Sequence, residues 1–146
     1  MNAQDINRAR VMQLATSRGG QPWICNVYFI VTGGNFYWLS FPDRRHSKEL
    51  ADNAKAAVAI ALQEEVPVVG VQAEGTVRVV QNLSEAARVL ALYVHKYGKG
   101  KDFIELLKRG KNRHELYCLM PESVMVFDER SPSDAPYRQI QLANEE

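Results

Sequence analysis

Large apolar residues recur at every second position through much of residues 11–80, and at helical spacing beyond Ser84. The opening is polar, and reads as a short helix with Asp5 as its cap and Ile6 and Ala9 on one face. "VMQLATS" reads as extended chain and "RGGQP" as a turn. "WICNVYFIVT" follows, rich in β-branched and aromatic residues. Its odd positions, Trp23, Cys25, Val27, Phe29 and Val31, are uniformly apolar, which predicts a strand with one fully buried side. Its other side carries Asn26, Tyr28 and Thr32. "GGN" at 33–35 predicts a hairpin, and "FYWLSF" is the return strand. That strand is apolar on both faces, so either protein covers both or a ligand or second subunit covers one.

Residues 45–53 read as a short helix with Asp43 as N-cap. In "AAVAIALQ", Val58, Ile60 and Leu62 alternate with Ala57, Ala59 and Ala61, and a face of alanines lets something large approach the sheet. "VVGVQAEGTVRVVQ" predicts a long strand in which Gly70 and Gly75 mark a bulge or a close backbone approach. From Ser84, taken as a cap, Leu90, Tyr93, Val94 and Tyr97 fall on one helical face. "KDFIELLKRG" predicts a second short helix, so residues 84–109 form a helical excursion. "ELYCLMPESVMVFD" reads as two extended pieces around a proline, followed by a polar tail. The sum is a mainly β (α+β) chain of six antiparallel strands, a small barrel with accessory helices rather than a βαβ fold.

Length and composition narrow the picture. The 146 residues suit a single domain, 1–146, and 46% apolar with 24% charged residues is ordinary for a soluble globular protein. A net charge of +1 supplies no global field to recruit nucleic acid or an anionic membrane, so anion binding has to be local. No apolar run reaches membrane-spanning length, and the polar N-terminus does not resemble a secretory segment. Cys25 and Cys118 lie far apart without metal-ligand spacing, which fits reduced thiols in a cytoplasmic protein; Cys25 reads as a core thiol. His46, His95 and His114 show no zinc spacing, and His95 and His114 read as solvated or structural. No nucleophile elbow, P-loop or dinucleotide fingerprint is present. What remains is "DRRHSKEL". Arg45 and His46 at a helix start can grip a phosphate, and the same run can be a solvated basic turn.

Three stretches, "LATSRGGQPWICNVYFIV", "FYWLSFPDRRHSKELADNAKAAVAIAL" and "VVGVQAEGTVRVV", resemble in order and spacing the pyridoxamine 5'-phosphate oxidase-like FMN-binding split-barrel superfamily. "ELYCLMPESVMVFD" is similar to that family's closing strand, and the likeness is to its small single-domain members. The resemblance implies a split β-barrel and a homodimer with the cofactor site at the subunit interface. It implies FMN phosphate on Arg45 and His46, with support from Ser47 and Lys48. Ser40, with Leu39 beside it, would border the pyrimidine edge of the ring, and Asn26 or Tyr28 would touch the ring from the first hairpin. There are departures. The family's phosphate-gripping lysine is His46, its flavin-contacting glutamine falls at Gly70, with Gln72 on the same face as a substitute, and Arg138 alone stands where substrate-phosphate arginines are expected. The implied function is a flavin-dependent oxidoreductase acting on a small molecule, other than pyridoxamine phosphate oxidation. Alternatives are deazaflavin F420 as cofactor, a haem protein ligated by His46, His95 or His114, and a cofactor-free dimeric binding module.

Overall fold

The computed structural model describes residues 1–98, 114–131 and 136–142. The elements run α1 (Ala3–Ile6), β1 (Val11–Arg18), β2 (Gln21–Tyr28), β3 (Ile30–Thr32), β4 (Asn35–Ser40) and α2 (Arg45–Asp52), then β5 (Lys55–Gln63), β6 (Val69–Val79), α3 (Leu83–Tyr97), β7 (Glu115–Asp128) and β8 (Tyr137–Ile140). The helix expected at "KDFIELLKRG" lies outside the described residues.

All pairings are antiparallel, in the order β2-β1-β5-β6-β7-β4-β3 with β8 against β7. The two edge strands, β2 and β3, are joined by the single residue Phe29, so the sheet has to curl until its edges meet. No ladder is recorded between them, which leaves the barrel split at that seam. Among the described residues the strand count is eight, not six. The aromatic run breaks at Phe29, the tail supplies β8, and the closing segment is one strand that runs through Pro121. Proline interrupts a ladder, and here it sits beside the register shift at Glu74/Gly75. Gly75 is required there, since a Cβ would lie 2.1 Å from the Met120 carbonyl oxygen. The hairpins turn on Gly19–Gly20 and Gly33–Gly34, each with two positive φ angles, as type I′ loops demand.

The barrel interior is filled by Met12 and Leu14 of β1, Phe29, Phe36 and Trp38, Val58 and Ile60 of β5, Val71, and Leu119 and Val126 of β7. Val58 and Ile60 point inward as their alternation predicts, and Ala57, Ala59 and Ala61 face outward. The odd face of β2 is not fully buried: Trp23 is 39% exposed, and Cys25 and Val27 are intermediate. An edge strand has a neighbour on one side only, so its inward side chains gain less cover, and Cys25 is a half-buried thiol rather than a core one.

A second apolar cluster explains the two-faced β4. Tyr37 and Leu39 turn away from the barrel and are covered with Ile30, Leu116 and Cys118 by Val89 and Tyr93 of α3. The chain covers its own aromatic strand, and no ligand or second subunit is needed for that purpose. Of the stripe read from the sequence, Tyr93 and Tyr97 lie on the α3 contact face, while Val89 and Ala86 take the places expected for Leu90 and Val94. The helix caps shift as well. Asn2 caps α1 with Asp5 as the reciprocal member of a capping box, Asn82 caps α3, and α2 begins after an extended Arg44 with no side-chain cap, so Asp43 is not its cap.

Candidate functional site

β2, β4 and α2 enclose a cavity of about 380 Å³ together with Tyr93 of α3 and His114 before β7. Asn26, Tyr28, Leu39, Ser40 and His46, five of the residues singled out in the sequence, line it. Val27, Phe41, Arg44, Tyr93 and His114 complete it, and none of these five was expected there.

One wall is aromatic. The Tyr28 ring packs on Tyr97 at 4.6 Å between centroids, and Tyr97 packs on Tyr93 at 4.8 Å. The Tyr97 hydroxyl fixes this stack to the backbone, accepting from the Phe29 N–H at 2.9 Å and donating to the Arg10 carbonyl at 2.7 Å. The Phe29 break in the aromatic run is therefore pinned where β2 gives way to β3, and Tyr28 is held at the cavity edge. Burial pushes the Tyr93 phenol above its ordinary range.

The opposite wall is polar. Ser40 ends β4 almost buried, 2.6 Å from His46 Nε2. Burial and the neighbouring Arg44 charge hold His46 below the usual histidine range, partly opposed by Glu49. His114 is also lowered, by burial and then by Arg44. Its ring lies 3.9 Å from that of Phe41, and the Arg44 guanidinium stands 5.0 Å over the same Phe41 ring. Phe41 thus spaces a permanent cation and an imidazole on one flank of the cavity.

The other expected residues are elsewhere. Arg45 turns back along α2 to the buried Glu49, Nε to Oε2 3.0 Å, and its guanidinium lies 4.0 Å from the Trp23 ring centroid. Glu49 also accepts from Thr16 Oγ1 at 3.4 Å. Arg45 therefore clamps α2 onto β1 and β2, and it does not line the cavity. Ser47 is buried on the far side of α2, beside Tyr117 and Leu50, and Lys48 is exposed. Gln72 lies in a separate groove of about 410 Å³ on the alanine face, with Gln13, Ala57, Ala59 and Met125. Asn26, Gln13, Ala59, Gln72 and Met125 are register partners in one row across five strands. Three strand spacings separate Asn26 from Gln72, roughly 14 Å. The groove and the cavity meet where Gln13 Nε2 donates to Asn26 Oδ1 at 2.8 Å. Arg138 lies at a third concavity with Arg8 and Arg130, and His95 is exposed on α3.

Arg44 and His114 were missed for different reasons. At a helix start, neighbouring residues point in different directions, and the sequence does not say which of two adjacent arginines turns inward. His114 is brought in by the pairing of Ser40 with Glu115, a contact between β4 and β7 that no local pattern signals. Among the described residues, no group of three or more His, Cys, Asp or Glu side chains is placed to hold a metal ion, and no helix is long and apolar enough to cross a membrane.

The protein is an antiparallel split barrel with a part-aromatic, part-polar cavity among β2, β4 and α2. Residues 2–127 match the family model described as pyridoxamine 5'-phosphate oxidase, and the chain belongs to that family. Solved structures agree on the fold. A conserved hypothetical protein from Mycobacterium tuberculosis is similar at a TM-score of 0.75 and 17% identity, over 91% of this chain and 88% of that one. A heme binding protein from Mycobacterium smegmatis has a TM-score of 0.73 and 19% identity, over 95% of this chain and 56% of that one. An FAD-binding protein from Mesorhizobium loti has a TM-score of 0.63 and 16% identity, over 84% of this chain and 87% of that one. No functionally curated protein matches the chain.

Proposed function

We propose that the protein binds FMN in the β2/β4/α2 cavity and acts as a flavin-dependent oxidoreductase on a small molecule, as a cytoplasmic homodimer. The observation that carries this reading is the division of one cavity into an aromatic wall (Tyr28, Tyr93) and an opposite, polar wall (Ser40, Arg44, His46, with Phe41 between Arg44 and His114), which suits a flat ring with an anionic tail. Its volume of about 380 Å³ is within the usual span for small-molecule sites. The donor set fits the group. Asn26 and the backbone beside Leu39 and Ser40 offer polar atoms along the seam, and the phosphate end falls at the start of α2, where backbone N–H groups and the helix dipole favour an anion.

When bound, the flavin would supply the redox chemistry. The chain's residues have other tasks. Tyr28 and Tyr93 would exclude water from the ring's surroundings, the Ser40–His46 pair would offer the one polar hydrogen its mutual bond leaves free, and Arg44 supplies standing positive charge. The outward alanines of β5 leave the groove shallow enough for a second copy's sheet, and Gln72 in that groove would reach the site only from a partner subunit.

Titration with FMN, riboflavin, deazaflavin F420 and haemin, followed by flavin fluorescence and absorption, tests the reading. FMN is expected to bind at micromolar levels or tighter and riboflavin at least ~10-fold more weakly, since a charge-assisted phosphate contact contributes about 1.5–3 kcal/mol. A Soret shift with haemin and no response to either flavin would overturn it, and silence toward all four would leave the cofactor-free module.

A further inference from the structure

Arg45 was the expected phosphate grip, yet its guanidinium is engaged by Glu49 and Trp23. The cation that lines the cavity is Arg44, and two imidazoles from distant parts of the chain line it too. We propose that Arg44, His46 and His114 form one anion clamp, and that this clamp takes up a proton from solvent when it closes on the dianionic phosphate monoester of the cofactor. This rests on the flavin reading above.

The geometry supports three donors converging on one ligand. Arg44 and His114 both stand against the ring of Phe41, at 5.0 Å and 3.9 Å, so both approach the cavity from that side. His46 is fixed from the other side by its 2.6 Å contact with Ser40. In the free protein, burial and then the Arg44 charge oppose protonation of both imidazoles. Among the described residues, Arg44 and Glu49 act on His46, and Arg44 acts on His114. A phosphate dianion placed among them reverses this balance. It offsets the charge of Arg44 and presents an acceptor to any imidazole N–H, so the protonated form becomes the favoured one. A proton then moves from solvent to a ring nitrogen, and no other bond changes. The phosphate itself is already mostly dianionic at pH 7, its second pKa being about 6, so it releases only roughly a tenth of a proton on binding. The clamp's uptake exceeds that release.

Calorimetric titration of the full chain with FMN at pH 7, in buffers of different ionisation enthalpy, reads the proton number directly. We expect an uptake of roughly half to one proton per FMN, with FMN affinity falling as the pH rises from 6.5 to 8.5 and riboflavin affinity unchanged. Arg44→Gln should weaken FMN at least ~10-fold, and more than Arg45→Gln does, with riboflavin unaffected. His46→Gln and His114→Gln, which keep side-chain size and polarity, should each reduce the proton number. Uptake unchanged in both variants would overturn the clamp. Binding of FMN with a proton number of zero or below, or FMN affinity insensitive to Arg44→Gln, would overturn it while leaving the flavin reading intact. Absence of FMN binding at every pH would overturn both.

Discussion

Glu85→Gln tests how α3, and with it the Tyr93 wall, is held on the barrel. Glu85 accepts from Arg78 through Nη1 at 2.9 Å and Nη2 at 2.6 Å, and from the Tyr37 hydroxyl at 2.7 Å. Tyr37 is 1% exposed, so its hydroxyl has no water to turn to, and its phenol is pushed up to about 12 by burial and by the Glu85 carboxylate. The amide keeps the shape, loses the charge and turns one acceptor into a donor facing other donors. A buried hydrogen bond to a charged group contributes about 1.5–3 kcal/mol. The Arg78 side chain is 37% exposed, so solvent screens part of its share. The net loss expected is about 2 kcal/mol, or a fall in Tm of roughly 4–8 °C for a chain of this size. The pH dependence adds a second check. Arg78 and Tyr37 hold the Glu85 carboxyl below its ordinary range, so its contribution is full above about pH 5 and is lost as the pH falls through the lowered folded value. Urea melts of wild type, Glu85→Gln, Tyr37→Phe and the double variant, at pH 7 and pH 4, measure both. A Glu85→Gln loss under about 0.5 kcal/mol with additive double-variant behaviour would refute this reasoning.

Other predictions follow from packing. Gly75→Ala places a Cβ 2.1 Å from the Met120 oxygen and 2.8 Å from Pro121 Cα, both backbone atoms that cannot swing aside, so a stability loss of about 2–4 kcal/mol is expected in a urea melt. A melt within 0.5 kcal/mol of wild type, to the precision of about that size, would mean that the strand partners separate there at little cost. Cys118 is fully buried and its thiol is pushed up by burial, while Cys25 is only half-buried. A thiol reagent at pH 8 should therefore modify Cys25 first, and Cys118 only on unfolding. Rapid modification of both in the folded protein would contradict the burial of β7 under α3.

Much of the architecture was legible because it is written in local patterns. Paired glycines marked both hairpins, and the alternation of Val58 and Ile60 with alanines named the inner and outer faces of β5. The odd-position stripe of the aromatic run was legible too, but its burial was not, because edge position depends on which strands neighbour it. β8 was hidden in a polar tail, since an exposed strand pairing along one side of β7 needs no apolar stripe. The site was half legible. Residues on one strand or one turn, such as Ser40 and His46, could be grouped by proximity in the chain. Gln72 shared a face with the groove instead of the cavity, because facing outward on a sheet does not say which concavity lies opposite. The two apolar faces of "FYWLSF" left protein, ligand or second subunit open as the cover, and the cover is α3, a segment more than forty residues downstream that no local pattern ties to this strand.

The phosphorus resonance of FMN, followed from pH 5.5 to 8 with the protein in excess, tests the central claim most directly. A free phosphate monoester titrates across this range with a pKa of about 6. Held by Arg44 and the start of α2, the phosphate should stay dianionic, with a broadened resonance that barely moves over the range and returns to free-like titration in Arg44→Gln. A resonance that titrates as in free FMN, at protein concentrations where the flavin fluorescence shows the ring bound, would place the phosphate in solvent and contradict the site.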